Sequence, residues 1–217
     1  MAATTSSSSD RPGSPPLVRI ALWGLLVLTL VAILGLAVVQ VLRGPGEAEL
    51  PVLGEVPAFA LVSQDGRAVS REELAGAPYV VDFVFTRCVT SCPVMTHRME
   101  TLGEGLVEGE EFRRVSISVD PAHDTPAVLR EFTETRGLPE AWWFLTGDPE
   151  QVLALVRDGF HLAVEPETGD PVDPIAHSTR FVLADGRHRV RGYYDGTDPA
   201  EVAQLDRDLL RLAAQEM

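Results

Sequence analysis

This sequence predicts an α/β domain, a mixed β-sheet covered by helices, carried behind one N-terminal transmembrane helix. Three observations predict it. PYVVDFVF, residues 78–85, is a nearly continuous run of β-formers, the pattern of a strand covered on both faces. After it, strand-like and helix-like segments alternate to the end of the chain, which is the order of an α/β sheet. Ahead of it, residues Ile20–Leu42 form a run of 23 residues without a charge.

That run would be roughly 35 Å long as a helix at about 1.5 Å per residue, enough to span a bilayer core of about 30 Å. It is longer than the apolar region of a cleaved secretion signal, about 7 to 15 residues, and no clear small-residue cleavage site follows it. Arg11 and Arg19 precede the run while Arg43, Glu47 and Glu49 follow it, and basic residues bias their flank toward the cytoplasm. Residues 1–19 are low in complexity and read as a disordered cytoplasmic tail. Residues 20–42 then form the anchor, 43–55 a linker rich in Gly, Pro and Glu, and 56–217 one domain. The placement expected is a bacterial inner membrane, crossed once, with the domain on the periplasmic or extracytoplasmic side.

Within the domain, FALVSQDGRAVS reads as two short strands joined at Asp65-Gly66, a pair that readily takes the positive φ angles of a tight hairpin. The buried strand 78–85 then runs through TRCVTSC into Pro93, a residue suited to a helix's first turn. Helical spacing continues at Val94, Met95, Met99, Leu102 and Leu106. FRRVSISVD supplies a strand, and PAHDTPAVLREFTETR a helix capped by Asp124 or Thr125. AWWFLTG gives another strand, and a helix from about Pro149 to Arg157 precedes the irregular acidic stretch EPETGDPVDPIA. A hairpin turning at Asp185-Gly186 and an amphipathic helix, PAEVAQLDRDLLRLAAQ, close the chain.

Charge narrows the partners. The formal net charge is −14, and residues 1–43 hold only three Arg and one Asp, so the rest carries 15 Arg against 31 acids. A field of that sign repels phosphates and anionic lipid, which argues against nucleic acid and favours cations and basic protein faces.

Only two cysteines exist, Cys88 and Cys92, and they lie where the buried strand meets a helix. Loops after the carboxyl ends of α/β strands are where ligands sit, and a helix N-terminus favours a thiolate over a thiol. The C-x-x-x-C spacing is one residue longer than a redox C-x-x-C and leaves the sulfurs freer to splay around a metal. On a helix, positions i and i+4 share a face. Two soft thiolates suit Cu(I) or Zn(II), with a third position open to an imidazole.

Five histidines compete for that position. His97 falls roughly 140° around a helix from Cys92 and points away; His123, His161 and His188 read as solvated surface. His177 closes the acidic stretch just before STRFVL, where a distant segment would be brought beside the thiols. Met95 and Met99 read as core, and Asp120 and Asp124 as capping residues without a chemical role.

These motifs resemble the SCO/SenC family, thioredoxin-like copper proteins of respiratory membranes. VVDFVFTRCVTSCPVMTHRM matches the family's F-x-x-T-x-C-x-x-x-C-P segment, SISVDPAHDTP its V-D-P-x-x-D-T-P segment, and His177-Ser178 precedes the strand ending in Asp185-Gly186. The resemblance implies a thioredoxin-like domain in which Cys88, Cys92 and His177 hold one copper ion, Cu(I) or alternatively Cu(II). It implies a metallochaperone, fed by a copper donor protein, that loads the dinuclear copper centre of cytochrome c oxidase subunit II while its N-terminal helix sits in the lipid bilayer. The alternative is a thiol:disulfide oxidoreductase that reduces the cysteines of that copper centre, using Cys88 and Cys92 as its redox pair. One departure stands out: many members carry an acid just before the ligand histidine, and here that position is Ala176, with Asp173 the nearest acid upstream.

Overall fold

The structure is a computed structural model and describes residues 16–43, 49–89, 91–165 and 175–216. The chain divides into two units, residues 1–49 and 50–217. The first contains helix α1, Pro16–Arg43, which covers the whole uncharged run. Every α1 side chain that is described is exposed. Among the described residues no helix is long and apolar enough to cross a membrane; the unbroken stretch of described side chains in α1 is 20–36, and the others of the expected span lie partly outside it.

The second unit is built on an eight-stranded sheet. In chain order its strands are β1 (Gly54–Glu55), β2 (Ala60–Ser63), β3 (Ala68–Ser70), β4 (Tyr79–Val84), β5 (Arg113–Ser118), β6 (Trp142–Thr146), β9 (Arg180–Ala184) and β10 (Arg189–Asp195), arranged in space as β1-β10-β9-β4-β5-β6-β2-β3. A separate two-stranded ribbon pairs β7 (Val164–Glu165) with β8 (Ala176–His177). The central pairs β4·β5 and β5·β6 are parallel and the outer ones antiparallel, so the sheet is mixed as expected. All six residues of β4 are buried, as its continuous apolar sequence requires.

Helices α2 (Cys92–Thr101), α3 (Pro126–Arg136), α4 (Pro149–Ala154) and α5 (Pro199–Gln215) complete the unit, each with proline in its first turn. A single core joins them, with Phe83, Phe144, Phe160, Phe181 and Trp142 among its fully buried rings. On β10, Tyr194 donates its hydroxyl to Asp208 of α5 at 2.9 Å, a buried polar link between sheet and helix.

Several boundaries differ from the sequence expectation. The folded unit starts at Leu50 rather than near Val56, because β1 pairs with β10 and the Leu50 carbonyl accepts from the buried Arg191 guanidinium. Helix α2 stops at Thr101 and does not reach Leu106. Arg114 on β5 takes the carbonyls of Met99 and Leu102 at 2.9 and 2.7 Å, and Gly103 turns away with φ +75°. Helix α4 continues as one π-helical turn, Leu155–Gly159.

The β9–β10 hairpin turns at Asp185-Gly186 as expected, but the positive φ falls on His188, at +64°, rather than on Gly186. Gly186 is required for closeness instead: a Cβ there would sit 2.8 Å from the Ala77 amide nitrogen. Asp185 holds this hairpin, accepting from the amides of Arg187 and Arg189 at 3.0 and 2.9 Å and from the guanidiniums of Arg189 and Arg191 at 2.7 and 2.9 Å.

Burial alone would raise the Asp185 carboxyl, but the hydrogen bonds from Arg189 and Arg187 outweigh it and hold the carboxyl below the usual carboxylate range. A depressed folded pKa stabilises above the unfolded value of about 4 and is lost as pH falls through the folded one. Asp185→Asn should therefore cost about 3 kcal/mol at neutral pH, the lower end of the range for breaking a buried ion pair. Urea unfolding at several pH values checks this: the gap from wild type should narrow below about pH 4.

Candidate functional site

Parallel pairing places the carboxyl ends of β4 and β5 side by side, with Asp82 opposite Ser116 and Val84 opposite Ser118. The ladder extends one bond further, from the Val119 amide to the Val84 carbonyl at 2.9 Å. The two loops that leave this end, residues 85–91 and 119–125, are therefore neighbours. The first carries Cys88 and leads into α2, whose first residue is Cys92.

Cys88 thus lies outside the helix, and the two sulfurs meet because of the turn that precedes α2 rather than by sharing a helical face. That turn is closed by the Cys88 amide, which donates to the Phe85 carbonyl at 3.1 Å. Both residues are thiols and both are buried, at 6% and 3% exposure, yet Val89 between them is 68% exposed. The pair sits just under the surface, within reach of an incoming group.

The two sulfurs are not equivalent. Cys88 Sγ accepts the Cys92 amide at 3.4 Å, a first-turn donor with no partner inside the helix. The hydrogen bond to Cys88 and then burial push the Cys92 thiol well above the ordinary thiol range, with only a backbone contact from Phe85 opposing them. The expectation that a helix N-terminus lowers thiol pKa thus fails for Cys92: its own amide is spent on Cys88, and its proton is held by the neighbouring sulfur.

Asp82, in the middle of β4, adds to this upward push on Cys92. It is fully buried and accepts from Ser116 Oγ at 2.5 Å, which in turn accepts from Trp142 Nε1 at 2.9 Å. Asp82 is a residue that the sequence analysis does not single out. The signal was present, since one carboxylate interrupts an otherwise apolar buried strand, and buried acids are rare without a partner.

The 119–125 loop grips the cysteine loop. Asp124, fully buried, accepts from the Thr86 amide at 3.0 Å, Thr86 Oγ1 at 2.6 Å and Ser118 Oγ at 2.6 Å, and lies 2.9 Å from His123 Nδ1. Asp120 pairs with Arg87 at 2.5 Å. The cap of α3 is Thr125, whose side chain accepts from the Val128 amide. Neither Asp120 nor Asp124 is therefore the simple capping residue expected, and His123 is tied to this cluster. Asp120, His123 and Asp124 are close enough together to suit a cation, but the donors already directed at Asp124 occupy both of its oxygens.

Of the other histidines, His97 is 77% exposed on α2 with Glu100 3.7 Å away, as expected for a residue pointing away from the thiols. His188 is half-buried and hydrogen-bonded to the Tyr79 hydroxyl at 3.1 Å. Met95 and Met99 are fully buried core residues.

The backbone of His177 lies on β8, opposite Val164; its side chain, like Asp173 and Pro174, lies outside the described residues. Its segment is nevertheless tied to α2. The Thr179 carbonyl accepts from the Gly196 amide at 2.7 Å, the Gly196 carbonyl accepts from Arg98, and a Cβ on Gly196 would be 3.0 Å from Met95 Cε. Met95 is one turn beyond Cys92, so the chain two residues after His177 runs beside the helix that the cysteine opens.

A thioredoxin-like domain with a buried dithiol at its strand-to-helix junction is the class defined by this fold and site. The comparisons with known proteins give its family: the SCO1/SenC profile matches residues 51–211, and the chain belongs to that family. It is 34% identical over 151 residues to a SCO1 protein homolog of Bacillus subtilis, covering 68% of this chain and 77% of that one. Among solved structures it resembles BsSco, described as a cytochrome c oxidase assembly protein with a disulfide switch, at 32% identity and TM-score 0.63, covering 76% of this chain and 98% of that one. It shares its fold with copper-bound ScoI of Bradyrhizobium japonicum, at 23% identity and TM-score 0.56, covering 71% and 99% of the two chains.

In metal-free, reduced protein at neutral pH, an alkylating reagent should modify Cys88 before Cys92. The rate at Cys92 should keep rising with pH beyond about 8.5, where an ordinary thiol levels off. Peptide mass mapping after timed quenching measures both rates.

Proposed function

We propose that this protein is a membrane-anchored copper metallochaperone that binds one copper ion through Cys88, Cys92 and His177 and passes it to the dinuclear copper centre of cytochrome c oxidase subunit II. The observation that carries the reading is the buried dithiol at the C-terminal end of β4, in a chain of the SCO1/SenC family. The similarity to BsSco, a member of a family of cytochrome c oxidase assembly proteins, supports a role in oxidase assembly, and the copper-bound ScoI that shares this fold is consistent with copper.

The donor set fits copper as cargo. Two thiolates and an imidazole form a soft, low-coordinate site for Cu(I), and the apolar surroundings disfavour water as a competing ligand. Each thiol must lose its proton as the metal binds, so affinity rises with pH while the Cys92 thiol remains protonated in the free protein. Ligand exchange with a cysteine or histidine of the acceptor releases the ion without a change in its charge. The excess of acids over Arg beyond residue 43 favours a basic acceptor face.

We read α1 as the anchor. It is helical through the uncharged run Ile20–Leu42, and its described side chains are exposed all round, a pattern that calls for an apolar environment. The arginines before it support a domain outside the cytoplasm, which in a bacterium would put the anchor in the inner membrane. A reporter enzyme active only after export, fused after Met217, should be active; an intact but inactive membrane-bound fusion would reverse the orientation.

A second reading, thiol:disulfide oxidoreductase, is favoured by the contact between the two thiols and by the disulfide switch described for BsSco. The two readings separate on His177. A chelator competition for Cu(I) should show His177→Ala weakening the protein strongly, with Cys88→Ser and Cys92→Ser at least as damaging. His97→Ala should stay within about a factor of two, the scatter of surface substitutions. Equal affinities for wild type and His177→Ala would leave a two-thiolate binder and move the balance to the oxidoreductase.

A further inference from the structure

We propose that Asp124 and Thr86 form a positioning clamp that sets the direction of Cys88, so that the family segment V-D-P-x-x-D-T-P acts on the site through the cysteine loop rather than as a ligand. The inference rests on the functional reading above only in what it says about copper.

Thr86 is the second residue after β4 and stands two before Cys88. Both its amide and its hydroxyl donate to the same buried carboxylate. Two bonds from one residue to one fixed group determine its backbone orientation as well as its position. The next residue, Arg87, is held on the same neighbouring loop by Asp120. Cys88 follows with its amide on the Phe85 carbonyl. Three consecutive residues thus have their directions set before the sulfur is reached, and the sulfur is delivered to the Cys92 amide.

Asp124 is itself held at both backbone and side chain. Its amide donates to the Asp120 carbonyl at 2.8 Å, and Ser118 Oγ holds the carboxylate oxygen that also takes the Thr86 amide. Ser118 is the last residue of β5, so the clamp fixes the cysteine loop to the sheet's own frame. A carboxylate suits this role because it accepts at both oxygens and donates at neither; an amide would turn an NH₂ toward at least one of these donors. Metal-ligand geometry depends on such outer partners, and losing one typically weakens metal binding about 10- to 100-fold.

The test compares Thr86→Val, which removes the hydroxyl donor at nearly constant shape, with Thr86→Ser, which restores it, in the full-length chain. Cu(I) affinity by chelator competition and the Cys88-to-Cys92 alkylation preference of metal-free protein are read together, beside denaturant unfolding. Thr86→Val should bind Cu(I) at least about tenfold more weakly and lose the Cys88 preference, with Thr86→Ser close to wild type in both. Unfolding midpoints should not separate the two variants enough to explain the difference.

Thr86→Val behaving as wild type in both readouts would overturn the clamp while leaving the copper reading intact. A wild type that binds no Cu(I), with the alkylation preference still lost in Thr86→Val, would uphold the clamp and sink the copper reading instead. A second bound copper that disappears on His123→Ala would overturn the clamp by making Asp124 a ligand.

Discussion

Parallel pairing of β4 with β5 is the constraint on which the site depends. Two strands that run the same way release their loops at the same end of a sheet, and here those loops carry Cys88 and the two aspartates. Parallel strands need a long crossover, and α2 with the turns after it supplies one. The same helix begins with Cys92, so the connection that makes the pairing possible also carries half of the dithiol. The position of one sulfur is set by the sheet and that of the other by the crossover.

The electrostatics of the pair follow from that arrangement. A helix N-terminus offers unpaired amides, and whichever sulfur sits over them gains the stabilisation. Cys88, outside the helix, takes the Cys92 amide, while Cys92 keeps its proton against Cys88 in a buried setting. Chemically identical residues four apart thereby become a recipient of hydrogen bonds and a donor of one. A soft metal or an oxidant has to displace the Cys92 proton, and this makes either chemistry responsive to pH.

The acidic character of the chain is spent unevenly. Asp82, Asp124 and Asp185 are fully buried, and at Asp124 and Asp185 the carboxylate oxygens are taken up by specific donors. Buried acids of this kind define geometry, since an interior carboxylate without donors would be destabilising. One fixes the cysteine loop and another fixes the β9–β10 hairpin, whose far end lies beside α2 through Thr179 and Gly196.

Periodicity and turn chemistry in the sequence determined the main strands and helices, though not β1 or the β7–β8 ribbon: a nearly continuous β-forming run at 78–85, prolines at helix starts, Asp-Gly at both hairpins. They also determined that Cys88 and Cys92 sit at a strand-to-helix junction, because that follows from local order alone. The end of α2, the start of the folded unit and the glycine requirement at 186 were decided by partners distant in the chain: Arg114, β10 and Ala77. The same is true of the site. Nothing local distinguishes Asp124 from a helix cap, for Asp before Thr-Pro is a common helix start; only the adjacency of two parallel strands aims its carboxylate at Thr86. Sequence specifies what each segment does with its own backbone, whereas long-range hydrogen bonds and the proton held between two sulfurs exist only once the segments have met.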